Sequence, residues 1–228
     1  MRKSSLVLLS GGLDSLASFH WATVETDVTC ALTFDYGQQA ASKEIEQAQK
    51  ICKTYDVAHR VVEIPWMGKL KNSALINTQL PLPQPTQTQL DDKTFATKSA
   101  ASVWVPNRNG VFLNIAAAFA EELLADWLVV GFNKEEAATF PDNSEAFVQA
   151  SDKFFSYSTQ NRVKVQAPMG SKTKKEIVKW ALAQDVDLSL MWSCYRGGEK
   201  MCGVCESCMR SRRALTEAEA INWLEKLF

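Results

Sequence analysis

Leu9-Ser10-Gly11-Gly12-Leu13-Asp14-Ser15 decides the fold: a glycine turn that follows an apolar run at Ser5–Leu9 and leads into a helix expected near Leu16. Two adjacent glycines let the backbone turn tightly and approach a ligand with no Cβ in the way. The free N–H groups of the first helical turn and the positive end of its dipole face one point, a natural seat for phosphate or pyrophosphate. Ser10 and Ser15 add hydroxyl donors at either end. The loop is neither G-x-G-x-x-G nor G-x-x-x-x-G-K-[ST], it has no lysine for a γ-phosphate, and Asp14 repels an anion unless it holds Mg²⁺. A plainer reading also fits, a Gly-Gly turn with Asp14 or Ser15 as the helix N-cap.

Working outward, four further β-rich runs follow at Val28–Phe34, His59–Ile64, Trp127–Gly131 and Val163–Ala167. Amphipathic stretches at Ala40–Tyr55, Asn109–Leu124 and Lys172–Ala183 separate most of them. Strands alternating with helices predict an α/β fold, a doubly wound, mostly parallel five-stranded sheet covered on both faces. The nucleotide-binding α/β domain is expected over 1–190, with a small helical tail over 191–228 packed on it, Met209–Phe228 being its one packing helix. Strand two ends in Phe34-Asp35-Tyr36-Gly37-Gln38, at the carboxyl edge where parallel sheets bind ligands. Between Pro65 and Pro106 there is little periodicity, and Asn77–Gln89 is rich in Pro, Gln and Thr. That stretch reads as a lid, a partner-binding loop or a flexible insert.

The 228 residues suit one domain: 46% are hydrophobic and 22% charged, which excludes disordered and fibrous classes. Lys and Arg number 25 against 26 Asp and Glu, so no bulk positive charge announces a nucleic-acid binder. No apolar run approaches the ~18 residues of a membrane helix, and the start is too short in apolar residues for a signal peptide. A cytoplasmic chain is therefore expected.

Cys194, Cys202, Cys205 and Cys208 crowd into the tail, while Cys30 and Cys52 stand apart as buried apolar side chains. Two C-x-x-C steps and a fourth thiolate upstream can close a tetrahedral shell around Zn²⁺, with no open position and hence a structural role. C-x2-C-x2-C also begins an iron–sulfur run, but the fourth Cys and its Pro do not follow, which favours zinc.

These segments together resemble the 7-cyano-7-deazaguanine synthase (QueC) family of the PP-loop ATP pyrophosphatases, over essentially the whole chain. They stand in family order: LSGGLDS at 9–15, FDYGQ at 34–38, VPNRN at 105–109, GFN at 131–133, FPD at 140–142, Lys174-Lys175-Glu176, WSCY at 192–195 and CGVCESCMRSR at 202–212. The departures are Asn107 for a glycine, Glu136 for an Asp, Phe140 and Asn143 for the Tyr and Cys of a Tyr-Pro-Asp-Cys run, and Gln39-Ala40 for a basic pair. They spare the nucleotide loop and the cysteines and fall where the acceptor is expected to bind.

The resemblance implies an ATP-dependent ligase that turns the carboxylate of 7-carboxy-7-deazaguanine, with ammonia, into a nitrile through adenylate and amide intermediates, in queuosine biosynthesis. It implies a homodimer, ATP with Mg²⁺, one Zn²⁺ on the four cysteines, small-molecule partners, and neither membrane nor nucleic acid. Leu9, Ser10, Gly11, Gly12, Leu13, Asp14, Ser15 and Leu16 form the nucleotide turn. Asp14, Ser15, Lys174 and Arg108 are expected to be catalytic. Asp35, Tyr36, Gln38, Arg108, Asn109, Asn133, Glu136 and Asp142 are expected on the substrate. Plainer readings stand beside these roles: Lys174 on an ordinary basic helix face with Lys172, Lys175 and Lys179, Arg108 at a surface helix start, and Glu136 and Asp142 on an exposed loop. Trp192 and Tyr195 read as core packing, and His20 and His59 as structural. The rival function is a divergent PP-loop enzyme activating another carboxylate, tRNA or a partner protein.

Overall fold

A computed structural model describes residues 2–228. Five strands, β1 (Ser4–Leu8), β2 (Asp27–Asp35), β3 (His59–Glu63), β4 (Trp127–Val129) and β5 (Lys164–Gln166), form one sheet in the order β3-β2-β1-β4-β5. Every neighbouring pair is parallel. All five expected strands are present, with no end moved by more than two residues.

Burial on both faces explains the unbroken apolar runs. Val7, Ala31 and Val129 point to one side, where α1 (Leu13–Glu25), α2 (Ala41–Thr54) and α7 (Lys174–Ala183) pack. Leu6, Leu32 and Leu128 point to the other, against α3 (Lys93–Val103), α4 (Arg108–Glu122) and α6 (Glu145–Ser158). Strand order reverses at β1, between β2 and β4, so a crevice opens at the carboxyl ends of these strands. Among the described residues no helix is long and apolar enough to cross a membrane.

Three expectations need correction. Helix α1 starts at Leu13, not near Leu16, because Gly12 is an extended N-cap and needs no side-chain cap. Neither Asp14 nor Ser15 caps it, so both side chains are free to face the crevice. The 65–106 stretch is a built strap. Asp92 accepts hydrogen bonds from the N–H groups of Thr94 and Phe95 to start α3, and Met67, Ala74, Leu75, Leu82 and Leu90 are buried. The tail carries two helices, α8 (Glu206–Glu217) and α9 (Ile221–Leu227), where one was expected over Met209–Phe228. Glu219, at φ 61°, breaks them apart. Leu215, Ala220 and Leu227 join the core that holds α1 and α7.

Asn107 takes the left-handed conformation at φ 54° just before α4, and its side chain occupies the space a Cβ on Gly110 would need. Asn is the non-glycine residue best suited to that conformation, which explains why it can replace the glycine of the resembled motif. Asn107→Gly is expected to keep stability within ~0.5 kcal/mol and Asn107→Ala to lose ~1 kcal/mol in urea titration. Equal losses for the two variants would contradict this account of the turn.

Candidate functional site

The crevice holds a cavity of about 230 Å³ floored by the glycine loop and walled by Leu32, Phe34, Phe112 and Val130. Ser10 Oγ and Ser15 Oγ lie 3.1 Å apart, and Ser15 Oγ donates to the Gly12 carbonyl at 3.1 Å. Behind the loop, Trp192 N donates to the Gly11 carbonyl at 2.7 Å. Gly11 sits at φ 79°, and a Cβ there would come 3.2 Å from the Gln47 Cβ. Gly131 is required for a different reason: a Cβ on it would meet the Ser15 Cα and N at 2.7 Å. Of the eight expected nucleotide residues, Leu9, Ser10, Gly12, Leu13, Asp14 and Ser15 line the cavity. Gly11 and the fully buried Leu16 shape the loop from behind.

Lys174 is not on a solvated face. It is 5% exposed, and its Nζ lies 2.5 Å from Asp14 Oδ2 and 2.9 Å from Glu136 Oε1. Local caps aim the three groups. A capping box between Thr173 and Glu176 starts α7 with Lys174 as its first residue. Asn133 accepts a hydrogen bond from Glu136 N at 2.9 Å to start α5 (Lys134–Ala137). Glu135 accepts from Lys174 N at 2.8 Å. Burial pushes the Asp14 carboxyl up to about 6, with Lys174 opposing and Glu136 adding to the rise. Burial works against the Glu136 charge more than any other single cause, but Lys174, Asn133 and Arg108 together outweigh it and hold Glu136 below the usual range. The two carboxylates hold Lys174 firmly protonated despite its burial. Asp14 Oδ1 is buried with no hydrogen-bond partner, an oxygen left over for a ligand or its cation.

Arg108, the first residue of α4, lines the same cavity and forms no ion pair within 4.0 Å among the described residues. Its side chain makes a marginal 3.4 Å donation to Asn109 Oδ1 and lies within reach of the Tyr36 hydroxyl. Tyr36, Asn109 and Glu136 also line the cavity, and Asn109 Nδ2 donates to the Asp142 carbonyl at 3.2 Å. Asp142 lines an adjoining lobe of about 130 Å³.

Asp35, Gln38 and Asn133 were expected on the substrate, and none of them lines either lobe. Asp35 accepts from Gly37 N, which closes the turn after β2. Gln38 is consumed by Tyr36 N, the Phe34 carbonyl and Glu44 Oε2 at 3.0, 3.0 and 2.8 Å. Asn133 caps α5. All three are short polar side chains at strand ends, where the turn's own backbone groups claim them first.

Glu44 escaped sequence reading. It lines the main cavity from the first turn of α2, and the sole clue in the sequence is its place six residues after Gln38. Phe112 stacks on Phe34 at 4.2 Å. Trp192 and Tyr195 are packed into the core as expected and line the cavity as well. His20 and His59 bond Tyr55 Oη and Thr33 Oγ1 at 2.9 and 2.8 Å, a structural use.

The Sγ atoms of Cys194, Cys202, Cys205 and Cys208 all lie within 4.8 Å of one another, and none forms a disulfide. Tetrahedral thiolates at ~2.3 Å from a zinc stand ~3.8 Å apart, so this donor set fits such an ion with small adjustments. Backbone N–H groups of Arg196 and Cys202 donate to Cys194 Sγ at 3.3 and 3.4 Å, and Cys205 N donates to Cys202 Sγ at 3.3 Å. Such donors stabilise thiolates around a metal. Ser207, between two of the cysteines, lines both lobes.

The family model described as "Queuosine biosynthesis protein QueC" matches residues 4–219. A 7-cyano-7-deazaguanine synthase of Methanosarcina mazei is 47% identical over 213 residues, 92% of each chain. One of Desulforamulus reducens is 50% identical over 213 residues, again 92% of each chain. Among solved structures, a 4-thiouridine synthetase in complex with RNA and bound ATP aligns at a TM-score of 0.50 and 18% identity, covering 98% of this chain and 52% of that one. That likeness concerns the fold alone.

Burial raises the Glu44 carboxyl from its ordinary 4.5 to about 7, with Gln38 and Arg108 opposing. The folded chain thus holds this proton more tightly than the unfolded chain. The stability it contributes is full below pH 4.5 and is lost as pH rises through about 7. Glu44→Gln keeps an oxygen for Gln38 and has no charge to bury. Its stability in urea is expected to gain on the wild type as pH rises from 4.5 through 7; a difference flat with pH would remove Glu44 from the buried set.

Proposed function

Because the chain belongs to the QueC family, we propose that it is an ATP-dependent carbon–nitrogen ligase converting 7-carboxy-7-deazaguanine to 7-cyano-7-deazaguanine in queuosine biosynthesis. One observation carries the assignment of chemistry to residues. A lysine-free phosphate loop faces a cavity whose Arg108 has no carboxylate partner. Such a site suits two anions, a triphosphate and a carboxylate, brought together.

A carboxylate resists nucleophiles because of its charge, and oxide is a hopeless leaving group. Attack of the carboxylate oxygen on the α-phosphorus of ATP breaks the bond to the β-phosphate, giving an acyl adenylate and pyrophosphate. Ammonia then adds to the acyl carbon, AMP departs with that oxygen, and a proton is lost to give the amide. A second ATP adenylates the amide oxygen, again releasing pyrophosphate. Loss of AMP and of the two remaining N–H protons leaves the nitrile.

Ser10, Ser15 and the N–H groups at the start of α1 hold the departing pyrophosphate. Lys174 offsets charge gained by the phosphates, and the buried cluster around it is aimed before the reaction begins. Asp14, whose Oδ1 has no hydrogen-bond partner, would hold Mg²⁺ brought in with the nucleotide, and the ion would supply charge neutralisation there. Arg108 clamps the acceptor carboxylate beside the loop. Asn109, through its bond to the Asp142 carbonyl, holds the Pro141–Asn143 turn in place, and Tyr36 flanks Arg108. Cys194, Cys202, Cys205 and Cys208 would hold a structural Zn²⁺, and would then fix the wall that carries Ser207 and Tyr195. We take the enzyme to be a cytoplasmic homodimer, from family membership.

Three measurements test this reading. The chain, incubated with 7-carboxy-7-deazaguanine, ammonium, Mg²⁺ and ATP, is expected to yield the nitrile by mass; ATP turnover with other acceptors and none with this one would sink it. Asp14→Asn, which keeps an oxygen for Lys174, is expected to cut turnover by at least ~100-fold while the fold persists; retained activity removes the Asp14 carboxylate from the machinery. Metal analysis is expected to find about one zinc per chain, and Cys208→Ser to lose it together with the α8–α9 helical signal. A visible chromophore would point to iron instead.

A further inference from the structure

Most of the adjoining lobe is built from parts that the nucleotide chemistry does not use. Its walls come from the strap, through Leu75, Val103, Trp104 and Val105, and from the tail, through Glu206, Ser207 and Arg210. It shares Arg108, Glu136, Lys174 and Tyr195 with the main cavity, so the two lobes meet at the charged cluster. Two substrates that react must meet at one point, and the phosphate loop already claims the main lobe for ATP.

The second lobe has one aromatic end. Trp104 and Phe140 lie with ring centroids 6.1 Å apart and planes 7° from parallel. Planar heterocycles pack against such faces at little entropic cost. Its charges are nearly all committed. Glu136 is held by Lys174, and Glu206 takes Arg210 at 2.7 Å together with the Ser99 hydroxyl. Glu135 takes Lys174 N at 2.8 Å and lies 3.7 Å from Arg213. Asp142 is different. Its carboxylate receives a 3.3 Å bond from Asn143 Nδ2 and forms no ion pair within 4.0 Å among the described residues. The lobe thus offers one carboxylate with no ion-pair partner, one guanidinium with no ion-pair partner at the junction, and a flat apolar end.

We propose that this lobe is the acceptor-base site. The bicyclic ring lies against Trp104 and Phe140, donates its amino and ring N–H edge to Asp142, and directs its carboxylate through the junction to Arg108. The strap over 65–106 is then the acceptor wall, and Trp104 a specificity-determining residue. This inference rests on the synthase reading above and adds the location of its base.

Steady-state kinetics on Trp104→Ala, Trp104→Phe and Asp142→Asn, varying acceptor and ATP in turn, test it. Trp104→Ala is expected to raise the acceptor KM about tenfold and leave the ATP KM within about twofold. Trp104→Phe is expected to recover most of the loss. Asp142→Asn is expected to raise the acceptor KM, with no penalty toward an acceptor lacking the exocyclic amino group. Unchanged acceptor KM in Trp104→Ala and Asp142→Asn, or an acceptor defect in Phe112→Ala with ATP KM intact, would place the base in the main lobe and overturn the proposal. A wild type that makes no nitrile defeats the synthase reading itself, a separate outcome that no variant can mimic.

Discussion

The structure depends on one buried cation. Lys174 sits between Asp14 and Glu136 and thereby ties the start of α7 to the first turn of α1 and to α5. Two carboxylates facing one ammionium cannot be stripped of water unless the geometry is good and the outer atoms are hydrogen-bonded. The capping box at Thr173, the Asn133 cap and the Glu135 acceptance of Lys174 N supply that geometry. Removing one member of such a buried set commonly costs 3–5 kcal/mol, about the scale of a marginal domain's reserve. The cluster is therefore a constraint on the fold as much as on the chemistry.

The site is assembled around that cluster from distant parts of the chain. The glycine loop and strand ends make the main lobe, and the strap and tail make the other. Glu206 joins the last two: its N–H donates to the Pro83 carbonyl at 3.0 Å, and its carboxylate holds Ser99 and Arg210. Glu206 lies directly after Cys205, so a metal that fixes the cysteines also fixes the latch on the strap. Local folding energy in the tail is thus passed to a wall of the cavity.

Much of this was legible in the sequence because it rests on short-range physics. Apolar runs gave five strands, and Gly11-Gly12 with Ser10 and Ser15 gave the phosphate turn. The cysteine spacing gave the thiolate shell. The start of α1 was read three residues late because an extended Gly12 caps a helix without a side chain to announce it. Helix α3 was missed because its buried face is Ser99, Ala100 and Val103, too small and polar to set a helical period. Glu44 and the paired state of Lys174 depend on contacts across the fold, which no local pattern carries. Asp35, Gln38 and Asn133 were placed on the substrate by the resemblance of their segments, and groups within six residues along the chain take their side chains.

The central claim is that this site activates a carboxylate by transferring AMP to it, using a loop that grips pyrophosphate. Acceptor carrying heavy-isotope oxygen in its carboxylate, turned over with ATP and ammonia, tests it most directly. The AMP released is expected to carry one labelled oxygen. Label found in inorganic phosphate, with ADP as the nucleotide product, would contradict it.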